Sequence, residues 1–157
     1  MTISPPIRVL VICWGNSARS IMAEALLRHH GGADFDVHSA GIEPKGVNPL
    51  TLRVLDEAGL DHDWARSKSV DEFLDQSFDY VITVCDDARS VCPVFPGEKQ
   101  TVLHWGYEDP ARVEGTDEQR LGAFEGTLTM MATRIGQFVG LARRERGERE
   151  ALDPAHA

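Results

Sequence analysis

One stretch, Ile7 to Ser20, constrains what this chain can fold into more than any other. It opens with an apolar run, Val9 to Ile12, of the kind shown by a strand buried on both faces. The run breaks at Cys13. Gly15 and Asn16 follow, the residue types that best tolerate positive φ. After Ser17, Ile21, Met22, Ala25 and Leu26 repeat at helical intervals. A strand, a tight loop and a helix start thus fall within about a dozen residues.

That order has a chemical consequence. The first turn of a helix carries backbone N–H groups without partners, and its dipole favours negative charge. A loop wrapped ahead of it forms a concave nest of further N–H groups that suits a tetrahedral oxyanion. The backbone from Trp14 through Gly15, Asn16, Ser17 and Ala18 to Arg19 would form this nest. Cys13 stands at its mouth, where such a field favours thiolate. Arg19 can offer a planar fork of donors to two oxyanion oxygens. Against this stands a plainer reading, a buried strand-end cysteine followed by an ordinary turn.

The 157 residues suit one domain with a real core, expected over about residues 7–145 with a frayed C-terminal tail. A net charge of −9 argues against nucleic acid or an anionic membrane as partner. It also requires an anionic substrate to be captured by local donors. No apolar run approaches the ~20 residues of a membrane span. Pro5, Pro6 and Arg8 interrupt any signal-peptide core. Three cysteines, an odd number, then read as reactive thiols in a reducing cytoplasm. The histidines lack metal-ligand spacing, so neither a metal site nor a cofactor is expected.

Along the chain, the pattern predicts a first helix over about Ser17 to His30, ended by Gly31-Gly32. Phe35 to Ala40 reads as a second strand. Asn48 and Pro49 read as cap and first residue of a second helix with Leu50, Val54, Leu55 and Ala58 on its apolar face. Val70 to Leu74 reads as a short helical turn, Phe78 to Cys85 as a third strand and Thr101 to His104 as a fourth. A long helix starts near Thr116, with Leu121, Phe124, Leu128, Met131, Ile135, Phe138 and Leu141 as its apolar set. Arg143 to Glu150 reads as a solvated helix end. The alternation predicts an α/β fold in three layers, a four-stranded parallel sheet with helices on both faces. Ligands in such folds bind beyond the carboxyl ends of the strands. Cys13 and Cys85 both end predicted strands and so share that rim.

Cys85 and Cys92 form a second feature. A helical segment between them would hold them about 10.5 Å apart along the axis. A disulfide needs Cα atoms within about 7 Å. A bond between them therefore requires a segment that unwinds or was never helical, and Ser90, Val91 and Pro93 support helix poorly. Two buried core cysteines are the plainer alternative. In the third feature, His104 to Pro110, Asp109 can supply a proton to a departing oxygen or simply shape a turn before proline, with Glu108 as its competitor.

Cys13-Trp-Gly-Asn-Ser-Ala-Arg19-Ser20 resembles the Cys-x5-Arg-Ser loop of the low-molecular-weight tyrosine phosphatase fold. Ile82-Thr-Val-Cys-Asp-Asp and Cys92-Pro-Val-Phe-Pro96 are similar to the paired-cysteine segment of the arsenate reductases within that fold. The resemblance implies Cys13 as nucleophile, Arg19 as oxyanion clamp, Asp109 as general acid and Ser20 as a hydrogen-bond partner of the Cys13 sulfur. It implies a relay from Cys13 to Cys85 to Cys92, with arsenate as substrate, phosphate as competing oxyanion, and thioredoxin as reductant. The alternative it leaves is a phosphomonoesterase using Cys13, Arg19 and Asp109 alone, and weak phosphatase activity is expected in either case. An oxyanion-binding or redox-sensing protein is the non-enzymatic alternative. Some relatives hold a potassium ion at positions matching Asn16, Glu24 and Ser39. Their further acidic ligand falls near Lys68, whose ammonium would either replace the ion and pair with Glu24 or stand solvated on its loop. The loop departs from the pattern at Trp14, where a small or polar residue is usual, and at Ala18, where many reductases carry another cysteine.

Overall fold

The computed structural model describes residues 4–97 and 99–152. β1 (Ile7–Cys13) buries every residue except Arg8, as its apolar run requires. It pairs in parallel with β2 (Phe35–Gly41) on one side and with β3 (Tyr80–Thr83) on the other. β4 (Thr101–His104) completes the sheet in the order β2-β1-β3-β4. The chain steps from β1 to β2 in one direction, then returns past β1 to form β3. The order therefore reverses between β1 and β3, and a crevice opens beyond their carboxyl ends. Ile12 lies opposite Thr83 in the register, so Cys13 and Cys85 leave the sheet on the same rim.

The two faces are covered unequally. On one, α1 (Arg19–Gly31), α2 (Pro49–Glu57) and α4 (Asp117–Leu152) pack against each other and the sheet. Tyr80 and Trp105 both meet Phe138 of α4 edge-on, with ring centroids 4.9 and 5.4 Å apart. On the other, the 3-10 turn Val70–Phe73 and the segments after it bring Phe73, Phe78 and Phe95 into a chain of ring contacts that begins at His38 of β2. Arg8 stands beside this cluster, its guanidinium 4.5 Å from the Phe78 ring centroid.

Most predicted elements are present, with informative shifts. α1 begins at Arg19, two residues later than predicted, because residues 14–18 are spent on the loop around Cys13. It is buried continuously from Ser20 to Leu27, since α2 and α4 close over the side that would otherwise meet water. Gly32 ends it at φ +56. Asn48 caps α2 as predicted, accepting from Leu50 N at 2.9 Å. β3 is shorter than Phe78 to Cys85. Phe78 turns into the aromatic cluster, and Cys85 is already the cap of a one-turn helix, α3 (Asp86–Arg89).

α4 starts with a complete capping box. Gln119 N donates to Thr116 Oγ1 at 3.2 Å, and Thr116 N donates to Gln119 Oε1 at 2.9 Å. Its buried set includes Phe124, Leu128, Met131, Ile135 and Phe138, but Leu141 is exposed, and Val139 and Ala142 take its place against the core. Arg143 to Glu150 is a solvent-facing helix end, as expected, and it also makes side-chain contacts. The helix continues to Leu152. Arg143 and Arg146 pair with Asp34, and Tyr80 donates to Glu145. The frayed tail was predicted for residues beyond Glu150, and 153–157 lie outside the described residues.

Candidate active site

The loop from Trp14 to Ala18 is held from behind by one fully buried side chain, Asn16. Its backbone sits at φ +45, a conformation that asparagine tolerates better than most residues. Its N–H points back to Cys13 Sγ at 3.2 Å. Its amide nitrogen donates to Ser20 Oγ at 2.7 Å and to Ser39 Oγ at 3.0 Å, and its Oδ1 accepts from Lys68 N at 2.8 Å. Ser20 therefore keeps its hydroxyl proton for Cys13 Sγ, 2.8 Å away. Gly41 permits this packing. A Cβ there would stand 2.8 Å from both Asn16 N and Trp14 O.

The network runs deeper. Ser39 Oγ donates to Glu24 Oε1 at 2.6 Å, and Glu24, only 2 % exposed, also receives Arg28 Nε at 2.7 Å. Lys68 Nζ lies 3.8 Å from Glu24 Oε1 and donates to Arg66 O at 2.8 Å. Burial lowers the Lys68 pKa, and the Glu24 carboxylate opposes that shift. Of the two readings of Lys68, its approach to Glu24 is thus the one found. A potassium ion among Asn16, Glu24 and Ser39 would face an ammonium where its acidic ligand should be, so the residues present do not fit one.

At the front of the loop, Arg19 Nη1 donates to Tyr107 O at 3.0 Å, and Nη2 lies 3.7 Å from Asp109 Oδ2. Asp109 shapes the turn before Pro110 and also faces the clamp residue. Oδ1 accepts from Ala111 N at 3.0 Å and caps the 3-10 turn Pro110–Arg112, while Oδ2 faces Arg19. Cys13, Trp14, Arg19 and Asp109 line a cavity of about 230 Å³. Sequence reasoning missed two cations at its edge, Lys45 and Arg112. Lys45 N donates to Gly15 O at 3.0 Å, and the Lys45 stem lies against Gly15. Neither carries a motif, since both reach the cavity only through the folded loops.

Cys85 lines an adjoining cavity of about 440 Å³ that shares Arg19, Asp87, Asp109 and Arg112 with the first. Burial pushes the Cys85 thiol up. Backbone N–H groups of Ala88 and Trp14, and the Arg19 charge, pull the other way. Cys92 lies beyond α3 and lines neither of these cavities; burial also raises its pKa. All three cysteines are free thiols. Cys13, Arg19, Cys85 and Asp109 thus meet on one rim, with Ser20 beneath the sulfur and Cys92 set apart.

Such a rim can bind a tetrahedral oxyanion, attack it with sulfur and bring a second thiol to the product. Residues 8–148 match the family described as low molecular weight phosphotyrosine protein phosphatase. The chain is 42% identical over 130 residues to an arsenate reductase of Halalkalibacterium halodurans, covering 83% of this chain and 93% of that one. It is similar to the crystal structure of an arsenate reductase from Archaeoglobus fulgidus, with a TM-score of 0.67, 35% identity and coverage of 84% and 98%. A thioredoxin-dependent arsenate reductase of Corynebacterium glutamicum aligns with a TM-score of 0.60 and 33% identity, over 85% of this chain and 64% of that one. By its sequence and by the loop that Cys13 and Arg19 frame, this chain belongs to the low molecular weight phosphotyrosine protein phosphatase family.

Proposed function

We propose that this protein reduces arsenate to arsenite through a relay from Cys13 to Cys85 to Cys92. Arsenate enters the cavity lined by Cys13, Arg19 and Asp109, where N–H groups of residues 14–19 and the Arg19 fork hold its oxygens. The Cys13 thiolate attacks arsenic. Asp109 protonates the departing oxygen, which leaves as water. Ser20 and Asn16 N–H steady the sulfur. The Cys85 thiolate then attacks Cys13 Sγ. The sulfur–arsenic bond breaks, its electron pair passes to arsenic and arsenite departs, leaving Cys13–Cys85. Two thiols are oxidised and one arsenic(V) is reduced, so the electrons balance. Cys92 attacks Cys85, releasing Cys13 as thiolate and forming Cys85–Cys92. Thioredoxin reduces that disulfide, and phosphate competes for the same cradle. Lys68 supplies the positive charge beside Glu24 that keeps Ser39, Asn16 and Ser20 in place.

One observation favours this reading over a phosphatase using Cys13, Arg19 and Asp109 alone: Cys85 lines a cavity that adjoins the nucleophile's and shares Arg19 and Asp109 with it. Water-driven hydrolysis of a phosphocysteine has no use for a thiol there. The test is arsenate-dependent NADPH consumption with thioredoxin and thioredoxin reductase, against a blank without arsenate. Consumption that disappears in Cys92→Ser, with one arsenite released per protein, supports the relay. Cleavage of a phosphate ester without NADPH consumption would replace the relay with simple hydrolysis.

A further inference from the structure

His104 ends β4 beside the two residues that flank Cys85 and its neighbour Val84. Its Nδ1 lies 2.8 Å from Thr83 Oγ1 and its Nε2 lies 2.8 Å from Asp86 Oδ1. A carboxylate only accepts, so Nε2–H donates to Asp86, and in the neutral ring Nδ1 accepts from the Thr83 hydroxyl. The ring therefore joins the end of β3 to the first residue of α3 across the cysteine between them. Upstream of Cys85 the chain is also held by backbone bonds, Val84 N to Ile12 O at 2.9 Å and Tyr107 N to Val84 O at 3.2 Å. Downstream it is not. Among the described residues, Asp86–His104 is the one side-chain hydrogen bond or ion pair from Asp86–Arg89 to another part of the fold; Ser90 Oγ donates to Asp87 O within the same segment, and the Ala88 side chain is buried in the core. The helical turn that the Asp86–His104 bond secures separates Cys85 from Cys92.

We propose that His104, acting through Asp86, is a positioning residue that holds α3 wound and thereby sets the rate of the second exchange. This rests on the arsenate reductase reading. In the first exchange Cys85 needs only its place beside the Cys13 loop, which the β3 backbone and the Thr83–His104 contact preserve. In the second, Cys92 thiolate attacks Cys85, the Cys13–Cys85 bond breaks and Cys13 leaves as thiolate. That step requires Asp86–Arg89 to unwind, and the Asp86–His104 bond opposes it. Asp86 is exposed, so its substitution leaves the core untouched.

The experiment is a single turnover with one equivalent of arsenate, quenched by alkylation at intervals, with each disulfide mapped by mass spectrometry. Asp86→Ala should raise the rate of Cys85–Cys92 formation by about three- to tenfold, the range of one partly exposed charge-assisted hydrogen bond, while Cys13–Cys85 forms within about twofold of its normal rate. Asp86→Asn, which still accepts from Nε2–H but without the charge, should accelerate the second exchange less than Asp86→Ala does. His104→Ala added to Asp86→Ala should give no further acceleration of the second exchange, because the two share one bond. An unchanged or slower second exchange in Asp86→Ala overturns the proposal, as does an additive effect of the two substitutions. If arsenate generates neither disulfide in the unaltered protein, the relay itself fails, and that result is separable from a relay that runs without the tie.

Discussion

At the scale of single residues the cradle tolerates little change. Arg19 holds Tyr107 O with one nitrogen and faces Asp109 with the other, a geometry that needs a planar fork. Arg19→Lys should lower kcat/KM for arsenate by about 10²-fold or more, the usual effect of losing a donor that stabilises developing charge, with little change in melting temperature. Gly41→Ala should shift the loop and cut activity comparably, because its Cβ would meet Asn16 N and Trp14 O at 2.8 Å. Steady-state kinetics beside a thermal melt check both. The relay thiols give a pH dependence of definite sign. Burial raises the pKa of both Cys85 and Cys92, so each holds less thiolate near neutrality than a free cysteine. Rates of the two disulfide steps should keep climbing with pH beyond about 8.5, where an ordinary thiol is half ionised. A plateau below that value in the quenched time course would contradict it. Cys13, Gly15, Asn16 and Arg19 were legible in sequence because strand, turn and helix chemistry meet within one short stretch. Lys45 and Arg112 were not, since nothing local marks a side chain that a distant loop will bring to the cavity.

At the scale of elements, caps were legible and lengths were not. Asn48 and Thr116 cap their helices with the bonds their residue types predict. Thr116→Ala should cost about 1 kcal/mol and lower the melting temperature by about 2–4 °C. β3 ended earlier than the pattern predicts because its tertiary partner decided its length. β3 pairs with β1 only from Tyr80 to Thr83. The charged end of α4 stays helical where Asp34 meets Arg143 and Arg146 and Tyr80 meets Glu145. The Cys85–Cys92 segment shows the same limit. Its poor helix formers marked it as unstable, and the structure contains one helical turn that is anchored by the buried Ala88 and tied by Asp86 to His104.

At the scale of the whole molecule, a chain of hydrogen bonds and ion pairs joins loop, helix and sheet, from Cys13 through Ser20, Asn16, Ser39 and Glu24 to Lys68. Removing the Lys68 charge leaves Glu24 with Arg28 as its remaining cation among the described residues. Lys68→Met should destabilise the fold by about 1–3 kcal/mol. Potassium and sodium should raise the melting temperature of the unaltered protein equally. A clear stabilisation by potassium alone would show that the ion, rather than the ammonium, fills this role. The net charge of −9 repels arsenate, so capture depends on local donors, and the cavity gathers Arg19, Lys45 and Arg112 at one rim.

The sequence by itself determined the parallel α/β fold, the nucleophile loop and the three thiols. Each depends on short-range periodicity, on turn residues or on residue type, and those are local properties. Only the tertiary structure decided which thiols meet. The strand order reverses between β1 and β3, which brings Cys85 beside the Cys13 loop and leaves Cys92 beyond a turn of helix. It also decided between a solvated Lys68 and one paired with Glu24, and it placed one histidine against the turn between the second and third cysteines. Those contacts join residues far apart in the chain, and no local pattern encodes which distant side chains the sheet will bring within a hydrogen bond's length.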